Sequence, residues 1–413
     1  MSILLYNVFL IFYRIGIRIA SLGNNKAKQW INGRKHFPVI PLNDKVIWMH
    51  CASLGEFEQG RPVLEAIRVK YPDYRVVLSF FSPSGYEIRK NYSGADQIIY
   101  LPIDNALNAK KLISAINPSL VIWVKYEYWY YYLTELRKRK IPVILVSGIF
   151  RKSQPFFKWY GAIWIEMLHC FQQLFVQNEN SKKLLASLGV EKNASITGDT
   201  RFDRVITIAE KQEPVSFIRE FIAGKQVLVA GSTWEDDEIE LIHYVKAHPE
   251  IKFIIAPHEV DQENVDDVKK EFPNAIFYSE LATGIVVPEN INVLIIDNIG
   301  MLSKLYKYAS ITYVGGGFNK DGIHNILEAA VYGKPVFFGP VYEKFAEARE
   351  LVEKGGAFSI GNALELEDML NKLFADKKDL EKVSLIAGEY VYSKRGATKK
   401  VMDYVIENRL LTN

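Results

Sequence analysis

A short apolar run that is typical of a buried strand, Ile311–Val314, is followed by three consecutive glycines: Gly315, Gly316 and Gly317. Further on, Asn325 and Glu328 lie at the start of a segment with helix composition. A glycine turn between a strand and a helix lets backbone N–H groups approach an anion, and the start of the helix adds partial positive charge. The Glu328 carboxylate could in turn accept hydrogen bonds from the hydroxyls of a ribose. This spacing predicts a nucleotide-sugar site, and a tight turn with a capped helix is the alternative on spacing alone.

Two other strand-like runs in the same half of the chain end in polar loops. Phe253–Ala256 is followed by Pro257 and His258, and a histidine in that position is as often structural as ligand-binding. Val227–Ala230 is followed by three small residues with backbone donors and hydroxyls: Gly231, Ser232 and Thr233. Ligands of parallel sheets bind beyond the carboxyl ends of the strands. Three such loops in one sheet therefore favour a phosphate or nucleotide pocket.

The first half of the chain places one carboxylate after a strand-like run. Val46–His50 leads into a loop of small residues that contains Glu56, and we expect Arg61 and Pro62 to open the next helix. Such a loop would expose Glu56 at the mouth of a cleft, where it could accept the proton of an attacking hydroxyl. A carboxylate that complements the start of a helix is the structural alternative. Position alone does not decide between the two.

The composition excludes several classes of protein. With 413 residues, 49% hydrophobic and 24% charged, the chain is long enough for two domains with full cores. Its two cysteines, Cys51 and Cys170, provide neither a disulfide framework nor zinc-ligand spacing. The sequence has no Walker-type lysine loop, no cluster of His and Cys ligands and no Asp-x-Asp pair, so no metal or cofactor is expected. A net charge of only +3 and the lack of an RNA-binding signature argue against nucleic acid as a partner.

The N-terminal end is both basic and apolar. Residues 1–40 contain six basic side chains and no acidic one. Residues 3–13 are uncharged and are followed by Arg14 and Arg18, a run shorter than the roughly 20 residues that span a bilayer. The charges follow the apolar stretch and no small-residue cleavage site is present, which argues against a signal peptide. We therefore expect residues 1–35 to lie on an anionic membrane surface, with an ordinary packed helix as the alternative.

Strand and helix patterns alternate through the rest of the chain. This alternation predicts an α/β fold of two doubly wound Rossmann-like domains facing a cleft, over residues 36–204 and 205–387. Residues 388–413 are expected to form a helix that returns to the first domain. Besides the runs already named, the expected strands are Arg75–Phe80, Leu120–Val124, Val143–Ser147, Leu174–Val176, Val293–Ile296 and Val336–Phe338.

Four motifs together resemble those of bacterial Kdo transferases, which attach 3-deoxy-D-manno-octulosonic acid (Kdo) to a lipid A precursor. They are ASLGEF at 52–57, ITGDTRFD at 196–203, AGSTWEDDE at 230–238 and GGGFNKDGIHNILEAA at 315–330. The resemblance covers most of the chain and implies an inverting, metal-independent GT-B glycosyltransferase. It also implies CMP-Kdo as the donor, the 6′-hydroxyl of a lipid A precursor as the acceptor, and association with the cytoplasmic face of the inner membrane.

The resemblance also implies roles for individual residues. The catalytic base of the family falls on Glu56, and the nucleotide-binding Asn and Glu of its glycine-rich block fall on Asn325 and Glu328. Domain 205–387 would bind the donor and domain 36–204 the acceptor. The other donor-binding candidates are Gly231, Ser232, Thr233, His258, Gly315, Gly316 and Gly317. The acceptor-binding candidates are Ser53, Gly55, Arg61, Glu127 and Trp129.

Two positions depart from the pattern of the family. Ala256 stands where many members have an arginine before Pro-His, so a cation for the donor phosphate must come from elsewhere, with Arg201 or Lys320 as candidates. The acceptor motif Glu-x-Glu-Leu-Trp-Pro-Asn is matched only in part, because it reads KYEYWYY here, beginning at Lys125. Acceptor contacts therefore carry over incompletely.

Two other functions fit parts of the sequence. A nucleotide-sugar 2-epimerase could use the same two-domain scaffold, but it needs neither a membrane anchor nor the aromatic residues that crowd positions 123–132 and 150–160. A non-catalytic membrane-associated binding protein would not need Glu56 together with Asn325 and Glu328. Aromatic residues mixed with cations suit an interface where acyl chains meet phosphates.

Overall fold

The computed structural model describes residues 3–39, 45–285 and 287–412. The chain divides into two compact units, one formed by Met1–Arg204 with Gly396–Asn413 and the other by Val205–Arg395. Each unit contains a seven-stranded sheet whose neighbouring strands are all parallel within the described residues. The predicted α/β class with two Rossmann-like sheets is confirmed. The second division point lies after Arg395, beyond the expected residue 387.

The first unit is built from seven strands and the helices between them. Its strands are β1 (Val46–Cys51), β2 (Arg75–Phe80), β3 (Gln97–Tyr100), β4 (Pro118–Val124), β5 (Val143–Gly148), β6 (Gln173–Val176) and β7 (Ala194–Ile196). Its helices are α1 (Ile3–Ala20), α2 (Asn25–Asn32), α3 (Leu54–Lys70), α4 (Pro83–Arg89), α5 (Ala106–Ile116), α6 (Tyr130–Lys138), α7 (Ala162–Leu168), α8 (Glu179–Ala186) and the start of α9 (Thr200–Glu210).

The strand order of this sheet is β3-β2-β1-β4-β5-β6-β7. From β1 the chain first adds strands on one side of the sheet and then, from β4 onwards, on the other side. The loops after β1 and β4 are therefore neighbours at the carboxyl edge of the sheet. All six residues of β1 are buried, because helices cover both faces of a parallel sheet. Two apolar clusters on opposite sides of the sheet supply the core, one containing Trp48 and Trp123, the other Met49 and Ile122.

Helix α1 contacts the rest of its unit through a narrow face. Tyr6 and Leu10 are buried, and the Tyr6 hydroxyl donates a 2.6 Å hydrogen bond to Asp104. Its length of 18 residues and its apolar composition would allow it to cross a membrane, a property that signal sequences share. Its exposed apolar side chains include Leu4, Leu5, Phe9, Ile11, Phe12, Ile15 and Ile19. The expected membrane-associated segment therefore contains a helix with a broad exposed apolar face.

The second unit repeats the same architecture. Its strands are β8 (Val227–Thr233), β9 (Lys252–Pro257), β10 (Ala275–Phe277), β11 (Val293–Ile295), β12 (Ile311–Val314), β13 (Val336–Phe338) and β14 (Ala357–Ser359). Its helices are α10 (Ile218–Ile222), α11 (Glu235–Ala247), α12 (Gln262–Glu271), α13 (Tyr278–Leu281), α14 (Leu302–Leu305), α15 (Leu327–Ala330), α16 (Ala346–Lys354), α17 (Ala363–Ala375) and α18 (Lys377–Ser393). The strand order is β10-β11-β9-β8-β12-β13-β14, which places the ends of β9, β8 and β12 side by side.

The last helix, α19 (Ala397–Glu407), belongs to the first unit. Its residues Val401 and Val405 are part of the apolar cluster that also contains Phe57 of α3. Asp203 on α9 accepts 2.6 Å hydrogen bonds from the backbone N–H groups of Gly396 and Thr398 at the start of α19. Gly396 has a φ of 112°, a conformation that favours glycine.

Candidate functional site

Glu56 lies on the first turn of α3, which corrects the expectation of an exposed loop. Helix α3 begins at Leu54, and Pro62, which was expected to open it, lies inside it. The Glu56 side chain is turned inward and the residue is only 7% exposed. Its carboxylate accepts a hydrogen bond from the backbone N–H of Ala52. The residue therefore has the helix-start position of the structural alternative and the burial that is common among catalytic acids and bases.

The surroundings of Glu56 oppose its ionisation. The pKa of Glu56 is raised to about 8, chiefly by burial and then by the negative charge of Glu127. The Ala52 N–H, the Lys125 charge and the Tyr126 N–H oppose this increase. Glu127 reaches this position because β4 is the sheet neighbour of β1. A carboxyl group whose pKa lies near the working pH can both accept and release a proton, which is the requirement for general acid–base catalysis.

Glu127 is held by a set of polar groups that the sequence reasoning did not identify. The Glu127 Oε2 atom accepts a 3.0 Å hydrogen bond from Trp129 Nε1 and lies 3.0 Å from Nε2 of the fully buried His50. The other ring nitrogen of His50 lies 2.9 Å from Ser79 Oγ on the adjacent strand β2. The position of His50 at the end of β1 was the available signal. These contacts fix the Glu127 carboxylate, and they join it to Trp129, the other acceptor candidate of this segment.

The remaining acceptor candidates divide into two groups. Ser53 and Gly55 lie beside Glu56 at the start of α3, and the Ser53 side chain makes no capping hydrogen bond. Arg61 lies further along the helix, where its Nε donates a 2.7 Å hydrogen bond to Glu65. The structure therefore brings Ser53 and Gly55 to the Glu56 turn, whereas Arg61 is bound in an ion pair.

Basic side chains surround the Tyr126 ring at the same edge of the sheet. Lys125 Nζ lies 4.8 Å and the Arg151 guanidinium 5.8 Å from the ring centroid. Arg201, a candidate for the missing family arginine, forms a 2.8 Å ion pair with the buried Asp199. Burial acts to raise the pKa of Asp199, but Arg201 and Lys125 hold it below its usual value. Lys125, Arg151 and Arg201 thus lie at this edge together with the carboxylates Glu127 and Asp199.

In the second unit the glycine run is packed more tightly than the sequence suggested. Gly316 N–H donates a 2.8 Å hydrogen bond to Asp237 on α11, and Gly315 N–H donates a 2.9 Å hydrogen bond to the Gly231 carbonyl. A Cβ atom on Gly317 would lie 2.5 Å from the backbone nitrogen of Gly339. The N–H groups of Gly315 and Gly316 are thus used inside the protein, and the glycines allow close approach of backbone segments.

The helix expected after this run is a single turn. Helix α15 starts at Leu327 and has four residues, so its dipole is small. The Asn325 side-chain oxygen accepts a 3.3 Å hydrogen bond from Leu327 N–H, and its Nδ2 donates a 3.0 Å bond to Glu328. The two side chains are therefore joined, half-buried and close to the ends of the central strands. This loop can therefore bind a ligand through the polar atoms of Asn325 and Glu328, and the dipole of the short helix contributes little.

Three aromatic side chains gather above the ends of β8, β9 and β12. The His258 ring stacks on Trp234 at 4.6 Å and on His324 at 4.4 Å between centroids. Trp234 Nε1 donates a 3.1 Å hydrogen bond to His324 Nε2. Burial lowers the pKa of His324 to about 4, with a contribution from His258, and burial also lowers the pKa of His258. Both imidazoles are therefore neutral at pH 7. Sequence reasoning named His258 and missed the other two, which lie within the quoted motifs.

The remaining candidates in the β8 loop have different environments. The Thr233 hydroxyl donates a 2.7 Å hydrogen bond to the buried Glu238, so its role is internal. Ser232 is half-buried and has a φ of 54°, in the left-handed region. Within residues 3–39, 45–285 and 287–412, no group of three His, Cys, Asp or Glu side chains is arranged to hold a metal ion.

Comparison with known proteins identifies relatives of this chain. A family model described as 3-deoxy-D-manno-octulosonic-acid transferase (kdotransferase) matches residues 24–204, within the first unit. A 3-deoxy-D-manno-octulosonic acid transferase of Aquifex aeolicus is 28% identical over 376 residues, which cover 88% of this chain and 97% of that protein. A bifunctional glycosyltransferase/methyltransferase of Fusobacterium nucleatum is 27% identical over 87% of this chain, which spans 57% of that longer protein.

Solved structures support the fold. A UDP-GlcNAc 2-epimerase of Neisseria meningitidis superposes with a TM-score of 0.60 at 17% identity, covering 88% of this chain and 100% of that one. At this identity the match concerns the fold alone, a GT-B-like fold with two Rossmann-like units. The family model matches the first unit, and the relatives cover most of the chain; both describe 3-deoxy-D-manno-octulosonic acid transferases, and this similarity indicates a glycosyltransferase enzyme.

Proposed function

We propose that this protein transfers Kdo from CMP-Kdo to the 6′-hydroxyl of a lipid A precursor, with inversion at the anomeric carbon. The observation that carries the proposal is the buried Glu56 carboxyl at the β1–β4 edge, with its pKa raised to about 8. Its position in the ASLGEF motif matches the catalytic base of the Kdo transferases that the chain resembles. The donor, the acceptor and the stereochemistry are parts of the proposal that this similarity alone does not give.

In the proposed reaction, Glu56 accepts the proton of the acceptor hydroxyl as its oxygen attacks the anomeric carbon of Kdo. The bond between that carbon and the CMP phosphate breaks, and the phosphate oxygen keeps the electron pair. Attack on the face opposite CMP gives inversion in a single displacement. The ammonium of Lys125 stabilises the ionised form of Glu56, which this step requires. The negative charge of Glu127, which is held by His50 and Trp129, disfavours the ionised form of Glu56. It thereby raises the Glu56 pKa and makes the Glu56 carboxylate a stronger base.

The donor is assigned to the second unit. The joined side chains of Asn325 and Glu328 offer an amide and a carboxylate to the ribose and phosphate. His258 is exposed and neutral, so it can donate a hydrogen bond to the phosphate without supplying the charge of the missing arginine. Lys320 is exposed, and its carbonyl accepts a 3.1 Å hydrogen bond from Lys344 Nζ. We assign the missing charge to these two lysines.

The acceptor is assigned to the membrane surface. Helix α1 presents exposed apolar residues along most of its length, which suits insertion among lipids. Trp159, which is 96% exposed, lies in the loop before α7, and Ile163 of α7 packs against Tyr6 and Leu10 of α1. An exposed tryptophan beside an apolar helix is typical of membrane-interface proteins. This arrangement supports an acceptor that is drawn from a membrane surface, which we take to be the cytoplasmic face of the inner membrane.

The test is to incubate the purified protein with CMP-Kdo and a tetra-acylated lipid A precursor and to determine the mass of the lipid product. We expect the lipid to gain Kdo and CMP to be released in equal amount. Two controls define the result: UDP-GlcNAc in place of CMP-Kdo, to detect epimerisation, and the Glu56→Gln variant. Release of CMP without a Kdo-bearing lipid, or 2-epimer formed from UDP-GlcNAc, would reject the proposed reaction.

A further inference from the structure

A cavity of about 380 Å³ lies beside the polar end of α1, outside the site described above. It is bounded by α1, by the segment after α2 and by the start of α5. Arg14 and His36 are exposed on its wall, and Arg34 forms its base. Among the described residues that line it, none is a carboxylate. The cavity is therefore a concave surface with two arginines and one histidine and no balancing negative charge on its wall.

Arg34 is a half-buried cation that makes no ion pair within the described part of the chain. Its guanidinium donates hydrogen bonds to three backbone carbonyls, those of Trp30 (3.2 Å), Phe81 (2.6 Å) and Leu101 (2.8 Å). Three aromatic rings surround it at 4.0–4.9 Å, those of Trp30, Phe81 and Tyr100. Carbonyl dipoles and ring faces hold the guanidinium in place, and the charge of Glu127 acts on it without forming an ion pair. The fold thus fixes a positive charge at the base of the cavity.

The opposite wall adds further attraction for an anion. Asn105 caps α5, an 11-residue helix with no acidic residue in its first turn, and both Asn105 and Asn108 line the cavity. The N-terminal end of such a helix carries partial positive charge. The neighbouring carboxylate, Asp104, is 1% exposed and accepts hydrogen bonds from the Tyr6 hydroxyl and from two backbone N–H groups. The Asp104 carboxylate is therefore hydrogen-bonded inside the protein and does not line the cavity.

The position of the cavity suggests where its ligand comes from. Arg14 lies between Ile11 and Ile15, which are 55% and 46% exposed on the same apolar helix. When these side chains contact acyl chains, Arg14 reaches the level of the lipid head groups. We propose that this cavity binds the phosphate of a membrane lipid, held by Arg14, Arg34 and His36. The proposal concerns binding alone and does not depend on the donor or on the transfer reaction.

The test compares two arginines on the same helix. Arg14→Gln and Arg18→Gln each remove one exposed charge from α1, but only Arg14 lines the cavity. Sedimentation with phosphatidylcholine vesicles, with and without phosphatidic acid, measures the preference for a lipid phosphate. Loss of a general surface charge should weaken binding about fivefold, whereas loss of a charged hydrogen-bond partner should weaken it roughly ten- to a hundredfold. We therefore expect Arg14→Gln to reduce the phosphatidic acid preference more than Arg18→Gln, and His36→Gln to act in the same direction.

Two results would overturn the proposal. Equal losses in the Arg14 and Arg18 variants would mean diffuse electrostatic attraction to the membrane. Calorimetry with glycerol 3-phosphate distinguishes a soluble phosphate from a lipid: if Arg14→Gln abolishes binding of that probe while the vesicle preference is unchanged, the lipid assignment is wrong. Neither vesicle sedimentation nor calorimetry uses CMP-Kdo. If the transferase assay is negative, the results of these two experiments can therefore still be interpreted.

Discussion

Glu56 occupies a place where its ionised form is disfavoured, although the proposed reaction requires that form. The residue is buried, and another carboxylate, Glu127, acts on it from the adjacent strand end. If Glu56 only helped to begin helix α3, this environment would lower the stability of the folded protein and bring no advantage. At a site of proton transfer the same environment makes the carboxylate a stronger base. Residue-scale experiments can separate these two roles.

Replacing Glu56 by Gln should lower turnover by about a hundredfold or more, because the amide cannot accept the proton. The same variant should be more stable at neutral pH. The pKa of Glu56 in the folded protein, about 8, lies above the ordinary value of 4.5. Stability from this group is therefore present below pH 4.5 and is lost as the pH rises towards 8. The Glu56→Gln variant does not have this loss, so its free energy of unfolding at pH 7 should be higher by on the order of 3 kcal/mol, which is measured as a higher Tm. Near-normal turnover would remove Glu56 from the role of base.

The pH dependence should report the same group. We expect kcat/KM to rise as the pH increases through about 8, where Glu56 in the free enzyme loses its proton. Lys125 lowers the Glu56 pKa, so Lys125→Met should move the inflection to higher pH. Lys152→Met, also in the first unit, serves as a charge-matched control and should leave the inflection in place. An inflection that stays fixed in the Lys125 variant would contradict this assignment.

Glu328→Ala should weaken CMP binding by about tenfold, since a hydrogen bond to a charged group contributes roughly 1.5–3 kcal/mol. Calorimetry with CMP measures the change directly. Glu235→Ala, an exposed carboxylate of the same unit, is the control and should bind CMP normally. Unchanged CMP affinity in the Glu328 variant would place the nucleotide elsewhere in the protein.

Among the elements, α1 has the exposed surface that most clearly calls for a partner outside the protein. Tyr6 and Leu10 attach it to the first unit, so deleting the helix would also uncover aromatic residues of α6. Substitutions on its exposed face avoid that damage. Arginines at its polar end and apolar residues along its length should act together, because two weak signals hold a protein on a membrane better than one.

The double variant Leu4→Asp, Phe12→Asp should release much of the protein from anionic liposomes, since these side chains are 68% and 67% exposed. Leu364→Asp, at a residue that is 71% exposed on α17, provides the control and should sediment like the original protein. High salt should weaken binding of the original protein only in part, because salt screens charges and leaves the apolar contribution unchanged. Equal sedimentation of the double variant would show that α1 does not contact lipid.

The elements that the sequence did and did not predict differ in their place in the sheets. Every expected strand is present, because central parallel strands are buried on both faces and appear as apolar runs. The missed strands, β3, β7, β10 and β14, are the four edge strands of the two sheets. An edge strand pairs on one side only, and segments of three or four residues such as Ala194–Ile196 carry too short a pattern.

Within the candidate site, local sequence patterns predicted where a residue lies relative to a strand better than which other residues it contacts. Gly315–Gly317 follow a strand as expected, but Asp237, which takes the Gly316 N–H, lies far away in sequence and belongs to α11. The stack of Trp234, His258 and His324 joins three separate strand ends in the same way. The raised pKa of Glu56 depends on Glu127 across the β1–β4 pair. Such neighbours are set by the order of strands in the sheet, which no local pattern contains.

At the scale of the whole molecule, the proposed chemistry relies on side chains in both sequence halves and on no metal. In the second unit, to which the donor is assigned, Lys320 of the glycine-rich loop and Lys344 before α16 are the cations proposed to meet the charge of the donor. Fixed side-chain charges stabilise a leaving phosphate most strongly in a site that excludes water.

The transfer step with preformed CMP-Kdo should therefore proceed in the presence of EDTA at its ordinary rate. Product formation with and without the chelator, followed by mass spectrometry, measures this. The Glu56→Gln variant under the same conditions sets the background. A reaction that stops with EDTA and recovers with added Mg²⁺ would show that a cation has to be included in the mechanism.

The attachment of α19 to the first unit has a consequence for synthesis on the ribosome. Val205–Arg395 form a continuous unit that can fold as soon as it emerges, whereas the first unit needs residues made after it. Until Val401 and Val405 arrive, the surface of α3 that they cover stays open to water and to chaperones. The second unit, although encoded later than most of the first, is thus the one able to complete its core first during translation.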